Sequence, residues 1–483
     1  MGKLHKSKTK KSRLQPEEVA FLSIGELLKQ YCANALSPVE VTEIALARIN
    51  VWNPRINAFC MIDEVAAMAA ARASERRWRK NMPVGVLDGV PISIKDTLQI
   101  KGYPTRKGSR LTSEMPAAEN APVVDRVLEQ GAIIIGATTT PEFGVGPVTI
   151  SPLTGITRNP WDLSKGSGGS SGGAAAAVAA GMGYAALGTD AGGSIRIPSS
   201  LCGVVGLKPS GARVPVYPPS IAGSLATPGP ITRNVRDAAL IHTITTRPDI
   251  RDIDGLPPDF FDYADGLDKG VKGLRIAYSA TLGFAPKVDP EVAKIVADAI
   301  NIFSRVGARV VVADPGIEDP HDRFVALFYA GAAFTLRDID RKRFKLLGGI
   351  MRGAFAAGRK ISLHDYLEAQ EARRALTLKM ARFHEQYDLL VTPTLATAAF
   401  DAELVKPKSF DKFPNMRSWT VFCYPFNLTT QPAISIPCGF TAKGLPVGLQ
   451  IVGPRFADAV VLRAARAFER VYQNDRRPVL SED

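Results

Sequence analysis

The chain has 483 residues, 60 Lys and Arg against 47 Asp and Glu, a net charge of +13 and 46% apolar residues. That apolar share excludes disorder, collagen and coiled coil for the bulk of the chain and leaves one large domain or two to three smaller ones. The five cysteines (Cys32, Cys60, Cys202, Cys423 and Cys438) are scattered and form no CxxC pair; this excludes a disulfide framework and a structural zinc site and points to a reduced, cytoplasmic compartment.

The excess positive charge begins at the N-terminus. Lys3, Lys6, Lys8, Lys10, Lys11 and Arg13 precede the first acid, Glu17, so residues 1–17 read as a solvated basic tail. No apolar run follows it, so it is not a secretory signal. Residues 18–80 read as a helical segment, in which Ser37-Pro38-Val39-Glu40 forms a start signal of N-cap, first-turn proline and acid. From Val84 the texture turns to glycine, proline and β-branched residues. Val90–Ile94 predicts a strand ending at Lys95-Asp96, Ala121–Gln130 a helix closed by Gly131, and Ala132–Ile135 a wholly apolar strand. A helix followed by a strand without polar alternation implies a sheet covered on both faces.

The pattern returns downstream. Leu274–Tyr278 is a strand, Asp289-Pro290-Glu291 opens a helix closed by Gly307, and Arg309–Val312 is the next strand; this is a strand–helix–strand crossover. Residues 389–391, 433–436 and 449–452 are further strands, and 457–471 is a last helix. The fold class is therefore α/β, a single large domain over 81–475, with a core at 84–210, a variable and semi-independent region at about 240–390, and a short tail at 476–483.

Residues 166–209 carry the chemistry. Gly166–Thr189 has no charge, but its Gly, Ser and Ala content suits a tightly packed interior helix and not a membrane span. Gly181–Ala186 fits a relaxed dinucleotide fingerprint in the wrong context, after a helix and not a strand. Gly168–Gly172 fits a nucleophile elbow, yet His5, His242, His321, His364 and His384 all lie in bland settings. A different constellation explains more residues. A strand at Tyr184–Gly188 runs into Asp190-Ala191-Gly192-Gly193-Ser194, where small residues let several N–H groups converge beside a serine, as an oxyanion hole requires. Ser170 lies in a second glycine-flanked turn. Lys95 ends an apolar strand, and a desolvated lysine can replace histidine as a base.

At this point the chain resembles the amidase signature family. The resemblance rests on Pro91–Asp96, Pro141–Gly144, Asn159–Ser164, Gly168–Gly173, Gly188–Arg196 and Gly203–Pro209, with further likeness at 388–393 and 427–453. It implies a mixed, twisted sheet sandwiched between helix layers, bearing a Ser–cis-Ser–Lys triad. In that scheme Ser194 is the nucleophile, Ser170 (after a cis bond from Gly169) the bridge and Lys95 the base. Ala191, Gly192, Gly193 and Ser194 supply the oxyanion N–H groups, while Ser171, Asp190 and Arg196 brace the loops. One departure follows from the family's glutamine-dependent transamidation subunits, where an acid stands at the position of Thr420. Here aromatics flank that position, in Trp419–Phe426.

The implied function is an amidase that converts a carboxamide, aryl or alkyl, to carboxylate and amine through a Ser194 acyl-enzyme. The alternatives are a carbamate or ester hydrolase and a glutamine-dependent transamidation protein of the A-type. No cofactor, metal or membrane is expected. The partners are a small-molecule amide and, by family habit, a second copy in a homodimer. Nucleic acid is not expected, because the base-stacking aromatics of a nucleic-acid module are not evident.

Overall fold

The computed structural model describes residues 14–258 and 260–480; the basic run from Lys3 to Arg13 lies outside the described residues. Eleven strands form one mixed sheet: β1 (Phe59–Ile62), β2 (Pro91–Lys95), β3 (Ile133–Thr138), β4 (Ala185–Asp190), β5 (Val205–Lys208), β6 (Thr227–Thr232), β7 (Arg275–Tyr278), β8 (Arg309–Val312), β9 (Leu389–Pro393), β10 (Ala433–Phe440) and β11 (Pro446–Val452). The spatial order is β1-β3-β2-β4-β6-β5-β10-β11-β9-β7-β8. Two parallel runs, β3-β2-β4 and β9-β7-β8, are joined by antiparallel ladders through β6, β5, β10 and β11. Parallel neighbours need crossovers, and helices supply them: Pro122–Glu129 between β2 and β3, Gly172–Ala179 between β3 and β4, and Pro290–Arg305 between β7 and β8.

Side chains alternate between the two helix layers as the strand period demands. Ile92 and Ile94 of β2 and Leu187 of β4 pack with Leu27, Val123 and Ile241. Ile133 and Ile135 of β3 and Ala186 of β4 pack on the other side with Ile49 and the alanines of Gly172–Ala179. In the other half, Ile276, Val391, Ile434 and Ile451 face Val296, Phe303 and Leu462. Their sequence neighbours Ala277, Leu390, Ala433 and Val452 face an aromatic layer containing Phe324, Phe328 and Phe422. The start signals act as read. Ser37 Oγ accepts from Glu40 N at 3.2 Å while the Glu40 carboxylate accepts from Ser37 N at 2.9 Å, and Asp289 accepts from Glu291 N at 2.9 Å.

Several elements escaped the sequence reading. β6 contains Pro228 and Pro230, residues that argue against a ladder. They stand two apart, so both missing N–H groups fall on the same edge of the strand, and β6 meets β5 only through Ile231 and Thr232. β7, β8 and β9, from the stretch expected to be semi-independent, join the common sheet. The ends also differ from the tails expected there. Helix Pro16–Ala20 begins inside the first, and in the last stretch the Arg477 guanidinium lies 4.5 Å over the Phe21 ring. No helix among the described residues is long and apolar enough to cross a membrane.

Candidate active site

β2 delivers Lys95. All five residues of the strand are buried because parallel neighbours flank it on both edges. Lys95 is fully buried. Its Nζ lies 2.7 Å from Ser170 Oγ and donates to Thr189 Oγ1 at 2.9 Å. Removal from water favours the neutral amine, and the Asp190 carboxylate opposes this only in part, so Lys95 falls from 10.5 to about 7. Near neutral pH a large fraction of the group is an uncharged amine whose lone pair can accept a proton.

Ser170 comes from the loop before helix Gly172–Ala179, and the Gly169–Ser170 peptide bond is cis. Ser194 and Ala191 come from the turn after β4. Ser170, Thr189, Ala191 and Ser194 line one cavity of about 190 Å³. The two serine-bearing loops are laced together: Ser171 N donates to Ser194 O at 3.0 Å, and Ser171 Oγ donates to Thr189 O at 3.3 Å.

The turn 190–196 is held by a buried ion pair. Arg196 Nε donates to Asp190 Oδ2 and its second amino group to Asp190 Oδ1, both at 3.0 Å. Burial alone would raise Asp190, but Arg196, Lys208 and Asn427 more than offset it and hold the carboxyl well below the usual range. Asp190 Oδ1 also accepts from Gly193 N at 2.7 Å. That N–H, one of the expected oxyanion donors, is thus engaged in fixing the turn. Gly193 has φ +115°, and a Cβ there would stand 2.6 Å from Cys423 Cβ; a Cβ on Gly192 would stand 2.6 Å from Phe324 Cζ. Only glycine fits these two positions.

Three residues of this site carry no role in the sequence reading. Thr189 is the second partner of the Lys95 amine. Asn427 donates to Asp190 Oδ1 at 2.9 Å and accepts from Arg196 at 2.6 Å. Gln450 Oε1 accepts from Arg196 at 2.8 Å. Their signal was positional, inside the motifs at 188–196 and 427–453, but those sequence separations hide the contact. Of the described histidines none lines the cavity; His242 is fully buried, 3.4 Å from Asp458, and His384 lies 2.8 Å from Gln431. Among the described residues a histidine-dependent elbow is therefore not assembled at Ser170.

Thr420 is buried and its Oγ1 donates to Arg417 O at 3.0 Å. The aromatics around it do not line the cavity. Trp419 packs edge-on to Phe400, and Tyr424 stacks on Phe324, which stacks on Phe328. Phe328 reaches the cavity, together with Phe143 and Tyr217. The segment thus supports the apolar wall from behind, its rings buried against Phe400 and Phe324.

A mixed sheet between helix layers, with a fully buried lysine hydrogen-bonded to a serine at its centre, points to the amidase class of hydrolases. The chain belongs to the amidase signature family: the family model described as Amidase matches residues 40–462. It is 38% identical to an acylamidase of Rhodococcus erythropolis, over 94% of this chain and 96% of the relative. It is 37% identical to the A-type subunit of the glutamyl-tRNA(Gln) amidotransferase of Myxococcus xanthus, over 94% of this chain and 98% of the relative. A bacterial aryl acylamidase of the amidase signature family superposes with a TM-score of 0.87 at 29% identity, covering 94% of this chain and 97% of that one. The protein is an enzyme acting on amide C–N bonds.

Proposed function

We propose that this amidase hydrolyses a small carboxamide to carboxylate and amine through an acyl-enzyme on Ser194, with Ser170 and Lys95 as the proton relay. The observation that carries this reading is the fully buried Lys95 amine, lowered to about 7 and 2.7 Å from Ser170 Oγ. The neutral amine takes the Ser170 proton as Ser170 takes the Ser194 proton, and Ser194 Oγ forms a bond to the carbonyl carbon. N–H groups of the turn at Ala191, Gly192 and Ser194 take the developing oxyanion. The lysine proton returns through Ser170 to the departing nitrogen as the C–N bond breaks. Water then repeats the sequence on the ester, releasing the acid and freeing Ser194. Ser171, Asp190, Arg196 and the Gly193 N–H hold the turn in place.

A fluorophosphonate probe is expected to label the intact chain at Ser194, and not Ser194→Ala; labelling elsewhere, or none, defeats the reading. The likeness to a transamidation protein supports a second reading, in which the chain works with partners on glutamine. Thr420, where that class is expected to carry an acid, weighs against it. Glutaminase activity, and a partner that co-purifies, would favour it. The homodimer and cytoplasmic location belong to the first reading; light scattering of the purified chain tests the dimer.

A further inference from the structure

The charge inside the catalytic cavity is one-sided. Among the described residues that line it, Lys107 carries the only charged side chain, and no Asp or Glu takes part. Lys107 is anchored to the wall beside the reacting serines. Its carbonyl accepts from Phe143 N at 2.7 Å, Phe143 and Gly144 belong to the same wall, and a Cβ on Gly144 would stand 3.6 Å from Ser170 Oγ. Lys107 itself holds a left-handed backbone, φ +48°.

The Lys107 ammonium has no hydrogen bond and no carboxylate within ion-pair distance among the described residues. Asp96 acts on it from further away, but the Asp96 oxygens accept instead from Arg106 N and Gly108 N, at 2.8 and 3.2 Å. Burial holds the Lys107 amine below its ordinary range, with Asp96 opposing. A partly desolvated cation without a partner is costly, and a bound anion removes that cost. A cavity with a cation and no acid also offers a substrate ammonium a like charge and no carboxylate to pair with.

We propose that Lys107 anchors a carboxylate of the substrate, so that the preferred amides are small ones bearing a carboxylate a few bonds from the scissile C–N bond and no ammonium. The inference rests on the amidase reading of this cavity and names its substrate class. It separates glutaramate from glutamine, which differ only in the ammonium. The carboxylate can lie on the acyl side, as in glutaramate, or on the amine side, as in N-propionylglycine; the recognised group is the same, and the two arms of the test tell them apart.

The experiment compares kcat/KM for two pairs, glutaramate against pentanamide and N-propionylglycine against N-ethylpropionamide, with glutamine as a further substrate. The carboxylated member of at least one pair is expected to win by about tenfold or more, and glutaramate to exceed glutamine. In Lys107→Met the winning ratio is expected to fall about ten- to a hundredfold, and Lys107→Arg to keep most of it. Preference for the neutral member in both pairs, or an unmoved ratio in Lys107→Met, overturns the proposal. Calorimetric binding of glutaramate and N-propionylglycine to Ser194→Ala, with and without Lys107→Met, reads the anchor without turnover. An at least tenfold weakening for one ligand supports it and no weakening for either refutes it. Loss of all amide turnover and of Ser194 labelling would count against the amidase reading alone.

Discussion

In the proposed relay Lys95 is the base although its side chain is ordinarily charged, and burial favours the neutral amine that this role needs. A group brought from 10.5 to about 7 is mostly protonated below that value and mostly free above it. The pH profile of kcat/KM is therefore expected to rise through about pH 7 and level off; a profile flat from pH 5 to 9 would exclude Lys95 as acceptor. Lys95→Ala is expected to lower kcat by about a thousandfold or more. Thr189 accepts from the same amine, a bond that favours the charged form. Thr189→Val is expected to cost about tenfold in kcat and to move the pH midpoint downward, whereas a merely structural role would leave the midpoint in place.

The same shift has a stability sign. The unfolded chain binds the Lys95 proton up to about pH 10.5 and the folded chain only to about 7, so over that window stability increases with pH. Below about 7 both states hold the proton and the burial penalty is constant. Lys95→Met removes a penalty on the order of a few kcal/mol at neutral pH. It is expected to melt higher than the native chain at pH 7, with the gap closing toward pH 10. An inactive variant that also melts lower would mean the amine is not held against its charge.

At the scale of elements, the turn after β4 is shaped from both ends of the chain. Asp190 and Arg196 come from one motif, Asn427 and Gln450 from another more than two hundred residues on. Asn427→Ala leaves this buried pair short of partners and is expected to cost about 1.5–3 kcal/mol in denaturant unfolding, with kcat falling as the turn loosens. Gly192→Ala drives a methyl toward Phe324, so it is expected to cut activity at least about tenfold while perturbing the Phe324–Phe328 wall. Both loops were legible as glycine-rich turns flanking serines. The bracing was not, because a single asparagine carries no mark of the carboxylate it will meet. The aromatic segment 419–426 was legible as apolar, but which way its rings face depends on the helices packed against it.

Across the whole molecule, one sheet runs from β1 to β8 without a break, and residues 275–312 contribute its far edge. Unfolding by heat is therefore expected to be a single transition in which fluorescence and activity are lost together; a separate transition for the region at about 240–390 would refute this. Crossover strands were legible where an apolar run followed a capped helix, as at 274–312. β6 was hidden by its prolines, and β5 lies inside the stretch Gly203–Pro209, where glycines and a proline bracket an apolar run too short to mark a strand.

The sequence by itself determined the chemistry available: two serines in glycine turns, a lysine ending an apolar strand, and the helix and strand periods that require a sheet covered on both faces. These are local properties, set by the backbone freedom of glycine, by caps and by hydrophobic period. Only the tertiary structure decided that Lys95 loses its water, that Thr189 and Asn427 join the site, and that Lys107 stands as an unpaired cation in the cavity. Solvation and charge pairing depend on what lies across space, and no spacing along the chain records that.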